Sequence, residues 1–163
     1  MLYFAYGSNM SAPRLGERVG ITPDVGVATL ANHVLQFHKQ SDDGSAKCNI
    51  AYATERDVSV LGVVFDLPEL EKPALDRFEG VGQGYEVRTM TVTLVGGQDI
   101  KVFTYWATKI DPRLKPYHWY KHHVLHGART AGLSDHYIAR IEAVESIEDP
   151  NADRHRRQMN MYR

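Results

Sequence analysis

One segment near the middle of the chain, Val58–Leu67, is apolar and rich in β-branched residues almost throughout. Such a run predicts a strand buried on both faces, because a half-exposed strand would alternate apolar with polar residues. Its most apolar part, Val60 to Phe65, is much shorter than the ~20 residues that a transmembrane helix needs. The segment is therefore expected to lie inside a covered sheet rather than in a membrane.

Other strands are predicted on both sides of this segment, where short aromatic or β-branched runs end at glycines or polar turns. They lie at Leu2–Tyr6, Val25–Leu30, His33–His38, Asn49–Ala53, Tyr85–Val95 and Ile100–Ala107. The pair Gly96 and Gly97 forms a tight turn between the last two strands, which predicts a hairpin.

Helices are predicted mainly in the last third of the chain. One spans Pro116–His126 and stops near Gly127, and a second is capped by Ser134. Two shorter helices are expected after Ser11 and over Pro73–Phe78, each with a proline in its first turn. Many strands followed by helices is the pattern of an α+β fold with a mostly antiparallel or mixed sheet.

The chain is expected to form a single domain over residues 1–163. Its length fits one domain, and no Pro-, Ser- or Gly-rich linker or internal repeat divides it. The tail from Asp149 to Arg163 has little apolar content, so it is expected to be loosely held.

The charge composition excludes several classes of function. Lys and Arg total 19 and Asp and Glu total 20, which gives a net charge of −1. A protein that binds nucleic acid or a membrane surface would carry a basic excess, so neither partner is expected. The single cysteine, Cys48, and the lack of a signal-peptide pattern favour a reducing cytoplasm.

The first candidate site is the loop Tyr6-Gly7-Ser8-Asn9, where a predicted strand runs into a predicted helix. A glycine there lets the backbone turn and expose consecutive N–H groups, and the helix start beyond it adds more free donors. Such a loop can bind a carboxylate or a developing oxyanion. An ordinary strand-to-helix turn remains the simpler interpretation of the spacing alone.

The second candidate site is Glu79, which stands where a short predicted helix gives way to a glycine-rich loop. Its neighbours Phe78 and Val81 could partly desolvate the carboxyl group and fit it for acid–base chemistry. Taken alone, the position is more typical of a solvated helix-end glutamate, as most glutamates are. The glycines that follow do not form a dinucleotide-binding fingerprint, because they do not follow a strand.

Histidines offer a third candidate, since His122 and His126 share one face of a predicted helix. No other strong ligand accompanies them, so no metal is expected. The chain also lacks a phosphate-binding loop, and no organic cofactor is expected. Ser8 lies outside any G-x-S-x-G elbow, which argues against a serine nucleophile. Cys48 lies in an apolar strand and is expected to be an inert core residue.

The two loops together resemble the γ-glutamylcyclotransferase family. Phe4–Met10 followed by Ala74–Val81 matches the family's two motifs. The similarity extends over about residues 1–150, through Val60–Phe65, Tyr120, Gly127–Leu133 and Tyr137–Ile147. The resemblance implies a small mixed, barrel-like sheet with flanking helices. It also implies an enzyme that releases 5-oxoproline and a free amino acid from a γ-glutamyl amino acid.

The resemblance also assigns roles to residues of this chain. The family's catalytic glutamate matches Glu79. Its substrate-binding loop matches Tyr6, Gly7, Ser8, Asn9 and Met10. Two pocket tyrosines match Tyr85 and Tyr120, although a neighbour could fill the place of Tyr85.

Three alternatives remain open from the sequence. The substrate could be a γ-glutamyl amine or a γ-glutamyl group on a larger carrier. The chain could be a non-catalytic module that binds amino-acid derivatives in the same cleft, or an enzyme that uses the histidine pair to hold a metal. The leaving amino acid is undetermined, and a homodimer is one oligomeric state that the sequence leaves open.

Overall fold

Seven strands form the framework of the protein, and the computed structural model describes residues 1–163. The strands are β1 (Leu2–Ala5), β2 (Asp24–Ala31), β3 (His33–Gln40), β4 (Ala46–Tyr52), β5 (Ser59–Asp66), β6 (Tyr85–Leu94) and β7 (Asp99–Ala107). The helices are α1 (Ala12–Val19), α2 (Lys72–Glu79), α3 (His118–Thr130), α4 (Asp135–Glu142) and α5 (Ala152–Asn160). Short 3₁₀ turns cover Ser8–Met10 and Glu69–Glu71. None of the helices combines the length and the hydropathy that a membrane-spanning helix needs.

Five of the strands close into a barrel in the order β1-β5-β2-β6-β7. Adjacent strands of the barrel run antiparallel, except for β1 and β7, which pair in parallel at Tyr3 and Phe103. β3 and β4 form a separate antiparallel pair. The prediction of an α+β fold with a mixed, barrel-like sheet and flanking helices is confirmed.

β5 is the strand predicted to be buried on both faces, and it lies between β1 and β2 in the barrel. Val60, Val63 and Val64 are each at most 2% exposed. Gly62 makes the close contact with β1 possible, because a Cβ there would lie 2.4 Å from the Ala5 carbonyl oxygen and 2.6 Å from the Phe4 ring. The barrel interior can therefore hold the Phe4 side chain.

The helix α3 is longer than predicted, since it continues through Gly127 to Thr130. The prediction treated Gly127 as a stop signal, which was wrong. A Cβ at Gly127 would lie 2.6 Å from the Met10 carbonyl carbon and from the Ser11 nitrogen. The glycine serves close packing of α3 against the 3₁₀ turn that follows β1. The predicted Ser134 cap of α4 is confirmed, because its side chain accepts a hydrogen bond from the Tyr137 amide.

The C-terminal tail differs from the expectation of a loosely held segment. Residues 152–160 form α5, and Asn151 caps its start, because its side chain accepts a hydrogen bond from the Arg154 amide. Asp149 accepts a 2.7 Å hydrogen bond from the indole N–H of Trp119 and forms an ion pair with Arg154. The segment is held by polar contacts with α3, which low apolar content alone does not reveal.

Candidate active site

A small cleft opens beside the end of β1 and brings the two motifs together. It is lined by Tyr3, Tyr6, Gly7, Ser8, Asn9, Cys48, Glu79, Tyr85, Tyr105 and Tyr120. All but one of the residues predicted for the site lie in it. Met10 does not line the cleft, because it is 3% exposed and packs in the core beside Gly127.

Glu79 is the last residue of α2, and the helix ends because Gly80 adopts a left-handed conformation with a φ of 71°. One carboxylate oxygen, Oε1, accepts a 2.9 Å hydrogen bond from Asn9 Nδ2 and a 2.5 Å hydrogen bond from Arg18. No protein group donates to Oε2. The side chain is 14% exposed, so Glu79 is held in a fixed orientation with one oxygen free.

The surroundings of Glu79 differ from the sequence expectation. Phe78 and Val81, which were expected to desolvate it, are 57% and 38% exposed. The carboxyl group is enclosed instead by the loop and by Arg18, whose guanidinium also lies 5.6 Å from the centre of the Phe78 ring. The sequence analysis did not identify Arg14 and Arg18 as residues near the site. They lie four residues apart on α1, and this spacing, which places both on one helix face, was the signal that could have indicated them.

The loop after β1 presents backbone donors to the cleft. The amides of Gly7, Ser8 and Asn9 precede the first paired amide of the turn, Met10 N–H, and none of the three donates within the loop. The Ser8 hydroxyl accepts a 2.9 Å hydrogen bond from Arg14 Nε. The side-chain nitrogen of Asn9, Nδ2, donates to the Tyr3 hydroxyl as well as to Glu79. The side-chain oxygen of Asn9, Oδ1, is buried without a partner. The loop thus offers free donors and one free acceptor.

Gly7 is required by lack of space rather than by its backbone angles. Its φ of −114° lies outside the left-handed region. A Cβ at this position would lie 2.9 Å from the Cys48 Cβ and 3.3 Å from the Tyr120 hydroxyl. The sequence analysis attributed the glycine to the turn, whereas the structure attributes it to the approach of β4.

Three tyrosine hydroxyls fix the walls of the cleft through backbone contacts. Tyr6 donates to the Tyr105 carbonyl at 2.6 Å, and Tyr85 donates to the Cys48 carbonyl at 2.5 Å. The Tyr120 hydroxyl accepts a 2.9 Å hydrogen bond from the Cys48 amide. Burial raises the pKa of the Tyr6, Tyr85 and Tyr120 hydroxyls well above 10.0, so these groups remain protonated and do not act as bases.

Three residues of the cleft were missed as site residues, namely Tyr3, Tyr105 and Cys48. Tyr3 and Tyr105 meet in an edge-to-face arrangement with ring centres 5.7 Å apart, because the barrel closes between β1 and β7. No local pattern reports this closure. Cys48 is buried, and burial raises the pKa of its thiol to about 12, which makes it a poor nucleophile.

The histidine pair lies away from the cleft. The rings of His122 and His126 pack against Tyr162, with ring centres 5.1 and 4.1 Å apart. No third histidine, cysteine or carboxylate joins them to complete a set of metal ligands.

The chain is similar to known proteins in both sequence and structure. The model of the AIG2-like family matches residues 59–141. γ-Glutamylcyclotransferase from Bos taurus is 30% identical over 148 residues, which cover 88% of this chain and 78% of the relative. The protein of the same name from Mus musculus is 30% identical over 151 residues, covering 90% and 80%. A solved γ-glutamyl cyclotransferase structure superimposes with a TM-score of 0.87 at 26% identity and covers 98% of both chains.

Proposed function

The chain belongs to the γ-glutamylcyclotransferase family and is an enzyme of that type, and from this premise we propose that it converts a γ-glutamyl amino acid into 5-oxoproline and a free amino acid. We propose further that Glu79 is its acid–base group. One observation carries the proposal. The 2.9 Å hydrogen bond between Asn9 and Glu79 joins the two sequence motifs, 70 residues apart in the chain, in a single cleft.

The reaction is an intramolecular acyl transfer. The α-amine nitrogen of the substrate attacks its own γ-carbonyl carbon, a tetrahedral intermediate forms, and the bond from that carbon to the leaving nitrogen breaks. Because nucleophile and electrophile belong to one molecule, the protein mainly has to hold the reactive conformer. It must also take a proton from the α-ammonium and supply one to the leaving nitrogen.

Glu79 is suited to both proton transfers. Its Oε1 atom is held by Asn9 and Arg18, while Oε2 has no protein partner and can accept the ammonium proton. The same oxygen then returns the proton to the leaving nitrogen, so the carboxylate is regenerated. The buried tyrosine hydroxyls do not compete for this role, because their raised pKa values keep them protonated.

The loop residues provide the remaining contacts. In the proposed complex the free amides of Gly7, Ser8 and Asn9 donate to the α-carboxylate and to the oxyanion of the tetrahedral intermediate. Asn9 Oδ1 lacks a partner in the protein and accepts from the substrate ammonium. Tyr85 and Tyr120 shape the walls that enclose the substrate.

The test compares Glu79→Gln with the wild type on a panel of γ-glutamyl dipeptides, with 5-oxoproline detected by mass. Glu79→Gln retains the shape of the side chain but removes the base, so turnover is expected to fall by at least ~10²-fold. The control is Glu69→Gln, which makes the same change at an exposed position. A folded Glu79→Gln variant with near-normal turnover would exclude Glu79. A wild type that binds 5-oxoproline but never produces it would instead indicate a non-catalytic binding module.

A further inference from the structure

A second compartment adjoins the cleft and differs from it in charge. It shares several lining residues with the cleft, including Glu79 and Tyr120. It also contains four basic side chains, which we call the cation pocket, namely Arg14, Arg18, Lys39 and Lys47. The chain as a whole has a net charge of −1, so this concentration of positive charge is local.

Two of the four cations have carboxylate partners in the protein. Arg18 pairs with Glu79, and Lys47 pairs with Asp43 at 2.7 Å. Their positive charges are therefore offset within the fold.

The other two cations lack an anionic partner. Arg14 donates only to neutral groups, the Ser8 hydroxyl at 2.9 Å and the Gln158 side-chain oxygen at 2.8 Å. Lys39 forms no ion pair, and its ammonium lies 4.7 Å from the centre of the Tyr85 ring. The cation pocket thus carries two positive charges that have no carboxylate of the protein within ion-pair distance.

Burial of these side chains destabilises their protonated forms, and the positive charges of their neighbours add to the effect. Burial lowers the pKa of Arg14 to about 10, and the positive charge of Arg18 adds to the effect. Burial likewise lowers the pKa of Lys47 to about 8, with Arg14 and Lys39 contributing in the same direction. Removing a positive charge from water costs free energy unless an anion pairs with it. The pocket is therefore suited to an anionic ligand.

We propose that the cation pocket binds the leaving amino acid of the γ-glutamyl substrate, and that the preferred leaving group is an amino acid with an acidic side chain. The inference rests on the proposed function. Glu79 borders both compartments, so the nitrogen that it protonates lies at their boundary. The loop amides take the α-carboxylate of the γ-glutamyl group, which leaves Arg14 and Lys39 for the two carboxylates of the leaving amino acid.

The charge count also ranks other leaving groups. A neutral amino acid supplies one carboxylate and leaves one cation without a partner. A simple amine supplies none, so γ-glutamyl amines are expected to be the poorest substrates of the three classes. The order follows from charge alone, because all three share the same γ-glutamyl group and the same scissile bond.

The experiment measures kcat/KM for γ-glutamyl-glutamate, γ-glutamyl-glutamine and γ-glutamyl-ethylamide. Glutamate and glutamine have nearly the same shape, so their ratio isolates the second carboxylate. We expect the wild type to favour glutamate by about tenfold or more, as one hydrogen bond between charged groups provides. Lys39→Gln should reduce that ratio toward one, whereas Lys39→Arg should retain it. Lys101→Gln, which removes an exposed cation from β7, should leave the ratio unchanged.

Two results separate this inference from the proposed function. If the wild type releases 5-oxoproline from all three compounds but treats glutamate and glutamine alike, the cation-pocket inference is overturned and the proposed function stands. If no γ-glutamyl compound yields 5-oxoproline, the proposed function fails and the inference falls with it. A melting curve of each Lys39 variant confirms that a change in the ratio does not arise from unfolding.

Discussion

Gly7 lets the binding loop pack closely against the neighbouring strand β4, because it has no side chain. The space that a Cβ would need is already occupied by Cys48, whose own Cβ would be 2.9 Å away. Cys48 is 2% exposed and is fixed by tyrosine hydroxyls at both its amide and its carbonyl, so it cannot easily withdraw. The position of the loop amides therefore depends in part on the close approach of Gly7 to Cys48, two residues distant in the chain.

Gly7→Ala is expected to lower kcat/KM for a γ-glutamyl dipeptide by at least about tenfold, because a small displacement of binding groups is costly in catalysis. The double variant Gly7→Ala with Cys48→Gly removes the opposing Cβ and should recover part of the loss. Steady-state kinetics of both single variants and the double variant give the coupling between the two positions. Gly16→Ala is the control, since nothing lies within 4 Å of a Cβ there. Equal losses in the single and the double variant would refute the spatial explanation.

At the scale of elements, α5 connects the end of the chain to the active-site loop. Gln158 on α5 accepts hydrogen bonds from Arg14 and from His123, and Arg14 in turn donates to Ser8. The Tyr162 hydroxyl, just after α5, contacts the Ser11 hydroxyl at 2.8 Å and also His123 Nδ1. A short polar network thus joins α5, α3 and α1.

Tyr162→Phe is expected to reduce the free energy of unfolding by about 1–3 kcal/mol, because it removes the partner of two buried polar groups. Ser11 is 1% exposed and His123 is 0% exposed, so water cannot easily replace the lost hydroxyl. Urea denaturation measures the change. Tyr52→Phe makes the same substitution at a 69% exposed residue and should change stability by less than about 0.5 kcal/mol. Similar values for the two variants would mean that this network does not hold α5.

The sequence predicted most elements because their signals are local. The strands followed from aromatic and β-branched runs, and the start of α4 followed from the Ser134 cap. The predicted end of α3 was wrong because the sequence does not distinguish a glycine inside a helix from one that follows it. Only the contact of Gly127 with Met10 in the folded protein shows why a glycine lies inside this helix. α5 was missed because it buries no residue and depends on polar contacts with distant elements.

At the scale of the whole molecule, the parts of the site that lie in local motifs were likewise predicted, and the parts that depend on tertiary contacts were not. Glu79 and the Tyr6–Asn9 loop belong to contiguous motifs, and the fold brings both into one cleft as expected. Tyr3 and Tyr105 enter that cleft only because β1 and β7 close the barrel, through a single bridging pair. The cation pocket gathers side chains from α1, β3 and β4. Such groupings come from tertiary contacts, and spacing along the chain does not encode them.

The burial of His123 couples the folding equilibrium of the whole molecule to acidity. Burial, with a smaller contribution from the charge of Arg14, lowers the pKa of this imidazole from 6.5 to about 3. Burial also lowers the pKa values of His38, His122 and His126. Between pH 6.5 and about 3, His123 is therefore protonated in the unfolded chain but neutral in the folded protein. Acid consequently shifts the equilibrium toward unfolding.

The free energy of unfolding should consequently change little above pH 7 and decline below pH 6.5, by up to about 1.4 kcal/mol per pH unit for His123. Urea titrations at intervals from pH 8 to about pH 5.5 measure this slope above the range in which most carboxylates titrate. His123→Gln removes one of the proton sites and should make the slope shallower, even if the variant is less stable at neutral pH. An unchanged slope would show that His123 takes up no extra proton on unfolding. One part of the protein's sensitivity to acid thus arises at the imidazole that α5 covers, outside the cleft that holds the carboxylate proposed to carry out the chemistry.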